Sequence, residues 1–276
     1  MSEVSRANAD GMIGAIDDVF TSIAMPDYKS KLVGFGSDGA AVNTGINNGV
    51  IARFKETQKC LLGIHCHVHR LELAYKAAFT KKPIHAKVEE LLAGLYYFYR
   101  NSPLNRSDLL GACEVLGITK IVSTPVGGTR WLAHWQRALE NLWKVYPAIV
   151  SHLQTLTRTD QPSPRRPEAT GKAAGYLKML LELKLVNYAH FLTDVINVLS
   201  NLSLFLQNES CLVSEVYLRV LATIGVLEQL KVRDGPRLKK FLQDIGNGPI
   251  KEFHGFVLKE QCPAKSLQLS LNAREN

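Results

Sequence analysis

Two short apolar runs, one around Lys31 to Phe35 and the other "CLLGIH" at Cys60 to His65, are the convincing strand-like stretches of this chain, and each leads into a helix. Ahead of the first, Met12, Ile16, Val19 and Ile23 recur at helical spacing, with Ile13 and Phe20 widening the stripe, until Pro26 ends the helix. The first run passes through a glycine loop to a helical piece near Val50 to Lys55. The second opens an amphipathic helix from about Cys66 to Phe79, and a further helix follows through "VEELLAGLYYFYR". The order helix, strand, helix, strand, helix is the signature of an α/β fold with a largely parallel sheet. Even with a third strand at "KIVSTPV", the set is too small for a complete doubly wound domain of this length.

After Thr129 the pattern becomes helical. Trp131, Trp135, Ala138 and Leu142 share one face until Pro147, which is expected to interrupt the helix, and a short helical segment runs on to about Leu156. The proline- and arginine-rich stretch at 158–172 buries too little apolar surface to pack and reads as a flexible, exposed loop. Leu192, Val195, Leu199, Leu202 and Leu206 form one stripe, and Val213, Tyr217, Val220, Ile224 and Leu227 form another, which together predict an antiparallel helical hairpin. The reading is therefore an α/β domain at 1–128, a mostly α-helical domain at 129–245 and an irregular tail at 246–276.

Lys and Arg outnumber Asp and Glu by 33 to 25, and the net charge of +8 favours an anionic partner such as nucleic acid, whose counterions basic side chains release. Five cysteines, odd in number and scattered, argue for a reducing compartment. No apolar run approaches the roughly 20 uncharged residues that cross a bilayer. The amino terminus lacks a basic segment followed by an apolar core, so it does not read as a secretory signal.

The stretch "LVGFGSDGAA" places Gly34, Gly36 and Gly39 in the G-x-G-x-x-G spacing of dinucleotide folds. Two features oppose that use. Gly45, Asn47, Asn48 and Gly49 fall where the pyrophosphate-binding helix should be continuous, and the Asp38 carboxylate would compete with a phosphate for the same backbone N–H groups. An acid at the carboxyl end of a strand suits a hard cation such as magnesium better, and a plain turn with a surface aspartate is the structural alternative. In "CLLGIHCHVHRLE", Cys66 and His69 have the spacing of half a zinc site, but no second pair at finger-like spacing follows. The alternatives are ordinary core packing for Cys66, or a place beside Asp38 if the two strands are neighbours.

Taken together, "KLVGFGSDGAAVNTGINNGVIARFKE", "LLGIHCHVHRLELAYKAAF", "YRNSPLNRSDLLGACEVLGI" and "GGTRWLAHWQRAL" resemble the hAT transposase superfamily, in particular its domesticated, transposon-derived domains in vertebrate zinc-finger proteins. The resemblance covers about residues 8 to 230 and implies a partial RNase H-like fold with a helical insertion. It makes Asp38 the second acid of a DDE-type metal-binding triad, sets Cys66 and His69 as the Cys-x-x-His pair near the active site, and sets Arg130 and Trp131 at the start of the insertion, with Trp131 stacking on a base. The family's first acid would lie upstream of Met1 and its last beyond the helical region, so the chain reads as truncated at both ends and catalytically inactive. Magnesium would bind only if the triad were completed. The implied role is a nuclear, DNA- or chromatin-binding module in transcriptional regulation, with no membrane and no small-molecule substrate; apart from the resemblance, the exposed basic loop "SPRRPEATGK" offers Arg165 and Arg166 as phosphate contacts. Part of an active transposase, or a helical scaffold that pairs with itself or with another protein, are the alternatives.

Overall fold

The computed structural model describes residues 8–126, 131–158, 167–208 and 212–260. It is mostly helical, 71%, with a small parallel two-stranded sheet, so helix and strand are mixed as the sequence implies. Two compact units divide between Ala77 and Ala78.

In the first unit, α1 (Ala9–Ser22) opens on Asn8, whose side chain accepts from the Gly11 N–H at 2.9 Å and satisfies an otherwise orphaned donor. After α2 (Tyr28–Lys31), strand β1 (Gly34–Ser37) pairs in parallel with β2 (Leu62–His65), in the register Gly34 to Leu62 and Ser37 to His65. Between them lie α3 (Ala41–Thr44) and α4 (Val50–Thr57), and α5 (His67–Phe79) follows β2. One face of the sheet rests on the core of Tyr28, Val50, Phe54 and Leu61. There Phe35 meets Phe54 edge-on at 5.5 Å, and Phe20 stacks on Tyr28 at 4.1 Å. The Tyr28 hydroxyl donates to Asp17 at 2.7 Å, which ties α1 to α2. The other face is bare: Leu62 is 66% and Ile64 49% exposed. The strand expected around 31–35 thus lies at Gly34–Ser37, with two of its four residues exposed. Residues Tyr28–Lys31 are helical, and the glycines at 34 and 36 carry no side chain to recruit a covering layer.

The second unit is built around two long helices, α8 (Trp131–Thr157) and α10 (Leu183–Leu206). Before them come α6 (Pro83–Arg100) and α7 (Pro103–Val115); α9 (Pro167–Leu180) lies between them in sequence. After them come α11 (Val213–Val232), α12 (Pro236–Ile245) and a hairpin of β3 (Lys251–Phe253) with β4 (Phe256–Leu258). By length and composition α10 could cross a bilayer, but it is the core helix, packed on α6, α8, α9, α11 and α12. Its buried Asp194 caps α12, accepting from the backbone N–H groups of Arg237 and Leu238 at 3.0 Å each. His190, one turn earlier, is stacked between Trp143 at 3.8 Å and Phe241 at 4.4 Å. Neither of its ring nitrogens has a hydrogen-bond partner among the described residues.

Several expectations change. Helix α8 runs through Pro147, because Val145, Tyr146, Ala148, Ile149 and Val150 are all buried around it and their packing outweighs the lost backbone bond. No strand forms at "KIVSTPV" over its described residues. The stretch 167–172 is not loop but the first turns of α9: Pro167 presets the backbone angle and Lys172 pairs with Glu168 one turn away at 2.7 Å; residues 159–166 lie outside the description. The tail from 246 contains a hairpin, turned at His254 and Gly255 with φ of 51° and 80°, which buries Phe253 and Leu258. Its strands are too short for a readable alternation. The compact units also divide earlier than the sequence boundary at 128, because α6 and α7 pack with α8.

The two-helix hairpin forms from α10 and α11, but of the second stripe Tyr217 and Ile224 are exposed, Val220 and Leu227 half-buried, and the Val213 side chain lies outside the description. Helix α10 is shared among five neighbours, whereas α11 touches it from one side, with Arg219 over the Phe205 ring at 5.5 Å.

Burial, with the Arg237 charge adding to it, lowers the His190 pKa from 6.5 to about 3. The unfolded chain therefore takes up a proton at this residue that the folded chain refuses, and folding stability is lost as pH falls from about 6.5 toward about 3. Urea unfolding across that range should show this decline, and His190→Phe should flatten it while holding or raising stability near neutral pH. An unchanged pH slope in the variant would refute this account.

Candidate functional site

Among the described residues, the loop after β1 and the start of α5 form the place where residues singled out for chemistry meet. The Cys66 N–H donates to the Ser37 carbonyl at 2.7 Å, extending the parallel pairing by one bond past the end of β2. Asp38 follows Ser37, so the acid and the Cys66-x-x-His69 segment emerge from the carboxyl ends of neighbouring strands. Of the openings considered from sequence, the neighbouring-strand arrangement is the one present.

Within the loop, Asp38 shapes its own turn. Its Oδ1 accepts from the Ala40 N–H at 3.2 Å and from the Asn43 side-chain amide at 2.8 Å. The Asn43 bond is the leading cause that holds the Asp38 carboxyl below its ordinary value of 3.8; the Ala40 N–H and the charges of His69 and His65 act in the same direction. Both bonds go to Oδ1, and the side chain is otherwise open to water. The carboxylate thus takes a backbone N–H that a phosphate would need, and α3 ends at Thr44 with Gly45 as its cap. This is not the geometry of a dinucleotide loop.

His65 ends β2 and lies against the loop. A Cβ on Gly39 would stand 2.4 Å from the His65 ring, so only glycine admits this close approach. The His65 Nε2 is buried with no hydrogen-bond partner among the described residues, and the His65 and His69 rings lie 5.7 Å apart. Cys66 is exposed rather than packed as a small hydrophobe. The donors around Asp38 are therefore one carboxylate, two imidazoles and a thiol. Magnesium prefers an all-oxygen shell, and among the described residues no group of three or more His, Cys, Asp and Glu side chains is placed to hold a metal. These side chains do not fit a two-metal centre, which needs several carboxylates around ions about 3.5 to 4 Å apart.

Of the remaining candidates, Trp131 is the half-buried first residue of α8, in the second unit. Arg130, Arg165 and Arg166 lie outside the described residues. Sequence reading passes over Asn43, since an amide five residues after an acid has no standard spacing, and it assigns no contact to His65. The excess of glycine around 39 was the available signal for a ring packed on the backbone.

No family model matches this chain, and no solved structure matches it.

Asn43→Ala should raise the Asp38 pKa toward 3.8, read by carbon-13 NMR titration of the carboxyl. Because the folded value is depressed, the contribution of this turn is present above 3.8 and lost as pH falls through the folded pKa. Gly39→Ala should shift the His65 ring resonances more than those of His67. Unmoved His65 signals would contradict the close packing.

Proposed function

We propose that this chain is a transposon-derived module of the hAT type, a partial RNase H-like domain with a helical insertion that binds DNA in the nucleus, serves transcriptional regulation and carries out no strand transfer of its own. The observation that supports it is the parallel pairing in which Ser37 opposes His65, since it brings Asp38 and the Cys66-x-x-His69 segment to the same end of the sheet. Among the described residues no further acid joins Asp38 in a metal-holding group, and its carboxylate is already engaged by Ala40 and Asn43, which supports the non-catalytic part. The charge of +8 supports the anionic partner.

A second reading, a helical interaction scaffold, draws on one observation: on α11, Tyr217, Leu218, Leu221 and Ile224 are between 47% and 66% exposed, more apolar surface than a closed helical layer leaves in water.

Fluorescence anisotropy with labelled duplex and single-stranded DNA separates the two. Binding should weaken linearly in log–log form as salt rises, by about 0.9 for each duplex phosphate contacted. Incubation of supercoiled plasmid with magnesium or manganese should leave it intact, with Asp38→Asn indistinguishable from the parent. Nicking abolished by Asp38→Ala would overturn the non-catalytic part, and the lack of any salt-dependent binding would favour the scaffold.

A further inference from the structure

The second unit carries a cleft of about 510 Å³ where the end of α6, the start of α7 and the start of α9 come together. Its inner wall is aromatic. Tyr176 of α9 reaches α6 at Gly94, where a Cβ would stand 2.5 Å from the tyrosine ring, and it meets Phe98 edge-on at 5.8 Å. A larger residue at 94 would push Tyr176 out of the wall. At the mouth, Tyr97 leaves 58% of its surface in water although it sits on a helix whose neighbouring Phe98 and Tyr99 are buried. Polar groups line it as well: Asn101, Asn105, the N-cap Ser102 of α7, and the paired Glu168 and Lys172 of α9.

An open cleft with an aromatic wall, an exposed ring at the mouth, side-chain amides and an ammonium whose paired carboxylate is itself exposed suits a flat aromatic ligand with an anionic substituent. The volume exceeds that of a single nucleobase, and every base presents a π-face that a tyrosine ring can stack on without regard to sequence. Lys172 and Glu168 pair at 2.7 Å with both side chains largely exposed, so the pair is weak and leaves the Lys172 ammonium able to turn toward a phosphate. A base buried in a duplex cannot enter such a cleft; an unpaired one can.

We propose that this cleft binds an unpaired nucleobase of a single-stranded nucleic acid, with Tyr97 stacking on the base, Asn101 meeting its edge and Lys172 meeting the adjoining phosphate. The assignment rests on the nucleic-acid reading above and adds the form of the ligand and the place where it docks. It concerns residues apart from Asp38, Cys66, His69 and Trp131.

The test is an anisotropy titration of the full chain with a labelled oligothymidylate and with a duplex, at one fixed salt concentration, for the parent and for Tyr97→Ala, Tyr97→Phe and Lys172→Gln. Tyr97 and Lys172 are exposed, so these variants should keep the parent circular dichroism spectrum. Tyr97→Ala should weaken single-strand binding about tenfold, with Tyr97→Phe restoring it, because the ring face and not the hydroxyl carries the stack. Lys172→Gln should reduce the salt dependence, and duplex binding should change less than twofold in every variant. Parent-like single-strand binding by Tyr97→Ala would overturn the cleft and leave the nucleic-acid reading standing. Equal losses for duplex and single strand would overturn the single-strand assignment. Thymidine monophosphate competing as well as the oligomer, mole for mole, would assign the cleft to free nucleotides instead. If the parent binds no nucleic acid at all, the wider reading falls and the cleft proposal with it.

Discussion

A two-stranded parallel sheet has no independent stability in water, and the pairing of β1 with β2 persists because one of its faces lies on the Phe54 ring. Phe54 meets Phe35 of β1 and, on another side, Tyr28, which is stacked on Phe20 and bonded through its hydroxyl to Asp17. The strands are therefore fixed by α1, α2 and α4 rather than by one another. The register that results, Ser37 opposite His65, is what puts an acid and a Cys-x-x-His segment at one end of the sheet. If that aromatic cluster were lost, the strands would have no reason to hold this register, and the site would cease to exist as a geometric object.

The second unit solves a different problem. Its central helix α10 is apolar over most of its length, and two of its buried polar residues are satisfied: Asp194 by two backbone N–H groups of α12, Thr193 by the Ala189 carbonyl and the Trp143 indole. Burial pushes the Asp194 carboxyl up while those two donors pull it down. Others are not: the Ser200 and Tyr188 hydroxyls are buried without partners among the described residues, and His190 packs by its ring faces with both nitrogens unpartnered there. A histidine used as a flat hydrophobe costs stability in acid and gains, in exchange, a continuous stack from Trp143 to Phe241.

Much of this was legible in the residues, and the misses have physical causes. The stripes of α1 and α10 repeat over several turns, so their periodicity survives small irregularities, and "CLLGIH" is bounded by polar residues that limit the strand. Pro147 misled because local propensity is weak beside the burial of a whole helix face. The hairpin at 251–258 was invisible because three residues per strand do not make a pattern. At the site, Asp38 was readable as an acid beside a strand, but its bond to Asn43 depends on how α3 folds back, which spacing alone does not encode. The exposure of α11 has the same origin: a stripe predicts that a helix has an apolar side, not that a neighbour covers it.

That uncovered side has a bearing on how long the protein lasts in a cell. Chaperones and proteases recognise apolar surface as a mark of incomplete folding and remove molecules that show it. A helix that keeps Leu218 and Leu221 in water therefore presents to that surveillance the kind of surface it removes, a standing cost to the lifetime of the folded chain.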